Sequence, residues 1–262
     1  MLSEHSVAEA ARSAGLGAPV HFLKVTGSTN EDLFRLATAG APEWTLVVAG
    51  EQRTGRGRLG RTWASVEGRS LLASILLRPT MAAADAPLLS LLAAVCLVRA
   101  IRSTNGVHVV CKWPNDLVVR ERKLGGILSE ANVDGGRFAF VVIGTGVNVA
   151  EEPDDFPPDI RPRATSILME GGRAYGVALL REYLRELRGL YTPTGHNLRT
   201  DVLEEYRSMC VTIGRDVIAT TPSGERIEGR ATGIGERGEL LVNSGSRTEA
   251  VGFGEVVHLR AG

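Results

Sequence analysis

VHVVCKWPNDLVVRERKLGGILSEANVDGGRFAFVVIGTGV, residues 107–147, holds four apolar runs separated by tight turns. The runs 107–113, 117–120, 124–131 and 138–147 are rich in Val, Ile, Leu and Phe, the residues that fit a pleated, half-buried surface. Such a series of neighbouring strands suits an antiparallel or mixed sheet better than strict βαβ winding, and so predicts an α+β fold.

Working outward, residues 20–25, 45–49 and 70–77 read as further strands, the last two as buried ones. Ser28-Thr29-Asn30-Glu31 has the side chains of a helix start, and Gly40-Ala41-Pro42 those of a stop. Residues 85–102 give the clearest helix, opened by Asp85 and Pro87 and closed by Asn105-Gly106. Residues 151–163, with their prolines and acids, read as surface loop. A second helix over 177–191 carries Leu179, Leu180, Tyr183, Leu184 and Leu187 on one face, and a third covers 198–209. Beyond Cys210 the texture changes. Short strand patterns at 216–220, 226–234, 239–243 and 247–259 predict a small β-barrel. The chain is thus divided into a catalytic domain, 1–209, and a C-terminal domain, 210–262.

Lys plus Arg and Asp plus Glu both number 30, so the net charge is zero. A chain that lives on nucleic acid usually carries a basic surplus, so a phosphorylated ligand here calls for a local basic cluster. The N-terminus has acids where a signal peptide needs bases. The longest apolar region, 88–101, is interrupted by Ser90 and Arg99 and is shorter than the roughly 20 residues of a membrane span. Three cysteines, Cys96, Cys111 and Cys210, lack metal-type spacing and do not suggest a disulfide framework. These features imply a reduced, soluble, cytoplasmic protein without membrane or DNA partners.

The local cluster lies at Gln52-Arg53-Thr54-Gly55-Arg56-Gly57-Arg58-Leu59-Gly60-Arg61-Thr62-Trp63, with four arginines and no acid. Glycine lets the main chain approach a ligand, and the arginine fork matches phosphate and carboxylate geometry. Set between two strands, the loop suits an anion, although a solvated charged turn has the same composition. It is neither a P-loop nor a dinucleotide fingerprint in register. A second signal is Lys112-Trp113-Pro114-Asn115-Asp116, where a lysine ends an apolar strand. Burying that charge is costly unless an anion meets it; the alternative is a strand-end lysine reaching solvent. Asp116 orients Lys112 or Asn115, or helps a metal; the sequence leaves these open, and no metal ligands are identified.

Gly55–Trp63 resembles the glycine- and arginine-rich ligand loop of biotin–protein ligases, and 112–116 matches their lysine strand residue for residue. Leu59 stands where the family commonly has a basic residue, which lowers the loop's charge and keeps its glycine spacing. The resemblance continues through Lys123–Glu130, Gly144–Val149 and Ala164–Leu168. Upstream, Ser28-Thr29-Asn30 resembles the biotin-recognition triplet, with Gln52 its partner; a plain helix cap is the simpler reading of the same residues.

The resemblance implies a class II synthetase-like catalytic domain, its sheet flanked by helices, plus an SH3-like barrel. It implies an ATP-dependent, Mg²⁺-assisted ligase that makes biotinyl-5′-adenylate and transfers biotin to a lysine of the biotin carboxyl carrier domain of acyl-CoA carboxylases. Lys112, Arg56 and Arg58 would be catalytic. Ser28, Thr29, Asn30, Gln52, Arg56, Gly57, Arg58, Lys112, Gly125 and Gly126 would bind biotin. Arg56, Arg58, Arg61, Trp63, Lys112, Asn115 and Asn148 would bind ATP. Fewer than 28 residues precede the triplet, so the N-terminal DNA-binding domain of many bacterial relatives is expected to be absent. A lipoate or octanoate ligase or transferase on the same scaffold is the alternative; a biotin-sensing repressor and a non-catalytic docking module fit less well. The loop is expected to be mobile when empty, since its arginines repel one another and glycine resists ordering.

Overall fold

A computed structural model describes residues 2–221, 223–245, 247–252 and 255–259. Its main sheet has seven strands: β1 (Val20–Thr26), β2 (Leu46–Gln52), β3 (Ser70–Leu77), β4 (Val110–Lys112), β5 (Asp116–Val119), β6 (Arg122–Asp134) and β7 (Arg137–Asn148). They lie in the order β1-β2-β3-β7-β6-β5-β4. Only β1 and β2 run parallel; the other ladders are antiparallel, so the sheet is mixed as its turn spacing predicts. Strand β3 is buried along its whole length, which explains its unbroken apolar sequence at the centre of the sheet.

The main core packs the sheet against α3 (Ala86–Asn105) and α4 (Gly176–Leu190), with α1 (Glu4–Ser13) laid on α4. Helix α3 is apolar nearly all round and correspondingly buried. Although long and apolar enough to cross a membrane, it is a core helix of this fold. It ends at Gly106, whose φ of 75° is the left-handed conformation expected of a glycine cap. The apolar stripe on α4 is buried as its spacing predicts, through Leu179, Leu180, Tyr183, Leu184 and Leu187. The second core sits under α2 (Thr29–Thr38), where Leu33 and Ala37 meet Val47, Leu76, Phe140 and Val142.

Helix α1 escapes the sequence reading. It is a short helix with a capping box built from Ser3 and Ser6 rather than from an acid. The segment 151–163 is surface loop only in part, because Glu151 and Phe156 are buried. After α5 (Leu203–Met209), the strands β8 (Asp216–Thr220), β9 (Arg226–Ile234), β10 (Leu240–Asn243), β11 (Thr248–Val251) and β12 (Glu255–His258) form a second, antiparallel sheet. Its order is β11-β10-β9-β8-β12, so the single strand predicted over 247–259 is two strands on opposite edges, separated at Gly252. The α+β class and the C-terminal β-sheet domain match the expectation.

Candidate active site

The two segments that carry charge in the sequence meet in space. Residues 55–63 fold as a small hairpin: Trp63 donates its N–H to the Gly55 carbonyl at 2.8 Å and Gly57 donates to the Arg61 carbonyl at 2.7 Å. Its tip, Leu59-Gly60, takes left-handed φ values of 55° and 73°. Gly55 is required, because a Cβ there would sit 2.5 Å from the Trp63 carbonyl. The hairpin roofs a cavity of about 280 Å³. Arg56, Gly57 and Arg58 line it from above, Trp113, Pro114 and Asn115 from the lysine strand, and Leu128 and Ser129 from β6. Gly238 and Gly252 of the C-terminal sheet complete the wall.

Three of the four loop arginines have partners. Arg56 lies 3.0 Å from Glu130 and 3.5 Å from Glu31, Arg58 is 3.4 Å from Asn115 Oδ1, and Arg61 pairs with Glu255 on β12. Mutual repulsion, on which the expected mobility rested, is therefore offset by carboxylates from three other elements. Arg58 is sufficiently desolvated that burial lowers its pKa, despite the nearby Asp116 and Glu255 charges. A guanidinium held in that way is an electrostatically hungry group, best satisfied by an anion in the cavity.

The triplet does not line this cavity; it lies beside the hairpin and reaches it through Glu130, which contacts both Asn30 and Arg56. Ser28 precedes α2, but its side chain makes no cap, so the helix-cap reading fails. Instead Thr29 donates both N–H and Oγ1–H to Gln52 Oε1, at 2.8 and 2.9 Å. Ser74 donates to Asn30 Oδ1 at 2.6 Å, while Asn30 Nδ2 reaches the Leu128 carbonyl and Glu130. Ser28, Thr29, Asn30 and Ser74 are all buried. Gly144 exists for this network, since a Cβ there would lie 2.0 Å from Asn30 Oδ1.

Beside it, Gly126 pairs with Gly146, and the bare backbone makes a floor for the Trp63 indole. Lys123 Nζ stands 5.7 Å from the ring centroid and 2.6 Å from Asp116. The Trp63 indole N–H is buried without an acceptor among the described residues. Gly125 is tight for another reason: its Cβ would meet the Gly146 carbonyl at 2.9 Å.

Lys112 is half-buried and faces Asp116 across the β4–β5 ladder; it borders the cavity through Trp113 rather than lining it. Asn115 is fixed by its amide, which donates to the Ile127 carbonyl at 2.7 Å. Asn148 is not brought to this cavity: it is buried and donates to the Thr165 carbonyl at 2.8 Å. Asp116 forms an ion pair with Lys123, which is none of the three roles left open for it by the sequence. Among the described residues no three His, Cys, Asp or Glu side chains cluster as a metal site.

Several contacts lay outside the sequence reading. Trp113 Nε1 donates to the Gly238 carbonyl at 2.8 Å, and its backbone N–H to Thr212 Oγ1 at 3.0 Å. His258 Nε2 also lies 3.1 Å from Thr212 Oγ1. Burial, together with the Lys112 and Arg215 charges, lowers the His258 pKa to about 4. Glu130 was missed as well, although alternation along β6 places it on the face of Gly126 and Leu128.

A mixed sheet roofed by a glycine–arginine hairpin, next to a buried hydroxyl and amide network, is an arrangement suited to a small anionic ligand. Residues 22–148 match the family model described as "Biotin/lipoate A/B protein ligase family", and residues 212–259 match "Biotin protein ligase C terminal domain". The chain is 34% identical to a Mycobacterium tuberculosis protein named biotin--[acetyl-CoA-carboxylase] ligase, over 99% of this chain and 96% of that one. It is also 34% identical to the Bacillus subtilis bifunctional ligase/repressor BirA, over 93% of this chain and 75% of the relative. A solved Aquifex aeolicus biotin protein ligase in complex with biotin and ATP superposes with a TM-score of 0.75 at 26% identity, covering 93% and 99% of the two chains. The chain belongs to the biotin protein ligase family.

Proposed function

We propose that this biotin protein ligase activates biotin with Mg-ATP to biotinyl-5′-adenylate and transfers it to a lysine of a biotin carboxyl carrier domain. One observation carries the reading: the loop folds Arg56 and Arg58 over a cavity whose far wall is the turn following Lys112. In the first step a biotin carboxylate oxygen attacks the α-phosphorus and pyrophosphate leaves. Negative charge grows on the phosphoryl oxygens, where fixed guanidinium and ammonium groups stabilise the transition state more than the separated substrates. In the second step the acceptor amine attacks the acyl carbon, the C–O bond to phosphate breaks, and AMP leaves with the bonding pair. The amine loses its proton.

Lys112 is assigned to the substrate carboxylate and α-phosphate, and Arg56 and Arg58 to the adenylate. The network around Thr29, Asn30 and Gln52 is assigned to the ureido end of biotin, whose donors and acceptors suit hydroxyl and amide partners. The buried, unpaired Trp63 N–H supports its assignment to the nucleotide, with Arg61 and Asn115. Gly57, Gly125 and Gly126 would let backbone approach the ligand. Asn148 would act at one remove, by shaping the end of β7. Mg²⁺ would enter as the complex with ATP and would neutralise charge on its phosphates. Closing the hairpin would shield the mixed anhydride from water.

A division at residues 209 and 210 is supported by the end of α5 at Met209 and the C-terminal family match from 212. Three buried free thiols favour the reducing cytoplasm.

The test is transfer of labelled biotin to a purified carrier domain with Mg-ATP, comparing wild type with Lys112→Ala. Transfer that collapses in the variant is the expected result. Labelling with lipoate or octanoate in place of biotin would overturn the substrate assignment.

A further inference from the structure

Glu130 joins the buried triplet to Arg56 at the edge of the cavity. Its Oε2 accepts from Asn30 Nδ2 at 2.8 Å, and its Oε1 lies 3.0 Å from Arg56 Nη2. The Asn30 amide is itself fully committed: Oδ1 receives the Ser74 hydroxyl at 2.6 Å, and Nδ2 also meets the Leu128 carbonyl at 3.1 Å. Asn30 cannot tilt without breaking buried hydrogen bonds, and so the plane of the Glu130 carboxylate is set by the triplet. The lobe left over points at the guanidinium. Glu31 adds a second carboxylate, 3.5 Å from Arg56 Nη1. A guanidinium has five N–H donors in a rigid fork, so two such contacts orient it and still leave donors for a ligand.

We propose that Glu130 is a positioning residue that transmits the placement of the triplet to Arg56, so that the loop closes with this guanidinium already directed at the ligand anion. The proposal rests on the reading of Arg56 as a ligand for the adenylate. Glu130 touches no reacting atom and acts only through Arg56. Its two oxygens divide the labour: one is fixed by the buried half of the site, and the other holds the mobile charge.

Glu130→Gln keeps an oxygen for Asn30 and removes the negative charge facing Arg56. The experiment compares wild type, Glu130→Gln, Arg56→Gln and the double variant. In ligand-free protein, tryptic cleavage within 53–61 is expected to quicken roughly fivefold in Glu130→Gln, the scale of a partly exposed ion pair. In biotinyl-adenylate formation the KM for ATP rises roughly fivefold while kcat changes less than twofold. In the Arg56→Gln background, adding Glu130→Gln changes neither quantity, because the link is already cut.

Effects of equal size in both backgrounds would show Glu130 to be merely structural and overturn the proposal. So would a Glu130→Gln variant with wild-type cleavage and KM. If wild type makes no adenylate, the functional reading fails; the tryptic comparison needs no ligand and then decides alone for or against the Glu130–Arg56 link.

Discussion

The triplet and the glycine–arginine loop are held by opposite kinds of interaction. Around Thr29, Asn30 and Ser74, neutral side chains are buried and hydrogen-bonded to one another and to half-buried Gln52, with space cleared by Gly144. Around Arg56 and Arg61, the contacts are ion pairs in which the arginines are 46% and 68% exposed. A buried, satisfied network cannot rearrange without leaving a polar group unpaired, which costs about 1–3 kcal/mol. Exposed ion pairs are worth about 0.2–1 kcal/mol and exchange readily for another anion. On the proposed reading, a neutral ring system would be recognised by the part that stays fixed, and an anion would be gripped by the part that can let go.

The largest effect expected at the gripping side comes from Lys112→Ala. Loss of one fixed positive group at developing charge lowers kcat for adenylate formation about 10²–10³-fold, as removal of one oxyanion donor does elsewhere. Rapid-quench measurement of biotinyl-adenylate checks this, and a loss below tenfold would move the chemistry elsewhere.

A pH signature is expected from Glu151, buried just past β7. Burial raises its pKa to about 7, against the help of the Ser70 hydroxyl, and its Oε2 has no partner among the described residues. The folded protein therefore holds a proton that the unfolded chain releases near the ordinary glutamate value of 4.5. Stability is complete below that value and falls as pH rises towards 7, by about 3 kcal/mol, then levels off. Urea unfolding at pH 5 and pH 8 should show this slope, and Glu151→Gln should flatten it. An equal slope in the variant would assign the pH dependence to other groups.

Gly144→Ala probes the buried network directly. The added methyl overlaps Asn30 Oδ1, at an expected cost of about 1–3 kcal/mol in stability. The KM for biotin should rise more than that for ATP. Equal rises would mean that the two sides are not separable. The smallest effect belongs to Glu255→Gln, which removes the partner of Arg61. It should alter the KM for ATP about two- to fivefold at low salt and hardly at all at high salt. A salt-independent change would indicate packing rather than charge.

What the sequence revealed follows the same division. The loop, the lysine strand and the triplet are contiguous stretches whose chemistry is written in residue type, and the β-strands around them follow from alternation and turns. Contacts between distant segments were not legible. The Trp113–Gly238 hydrogen bond spans 125 positions, and nothing local to Trp113 announces a partner in the C-terminal sheet. Thr29 and Asn30 looked like cap residues because cap and binding chemistry use the same side chains. Only the position of Gln52 and Ser74 in space separates the two. Glu151 read as one acid among many, since its burial depends on how the chain after β7 turns back towards Ser70.

Hydrogen–deuterium exchange with and without biotin plus Mg-ATP tests the division most directly. The account predicts that amides of 53–63 gain protection when the ligands are added, while those of 28–32 and 70–76 are already protected and change little. Equal gains on both sides, or a protected loop in the empty protein that ligands leave unchanged, would contradict it.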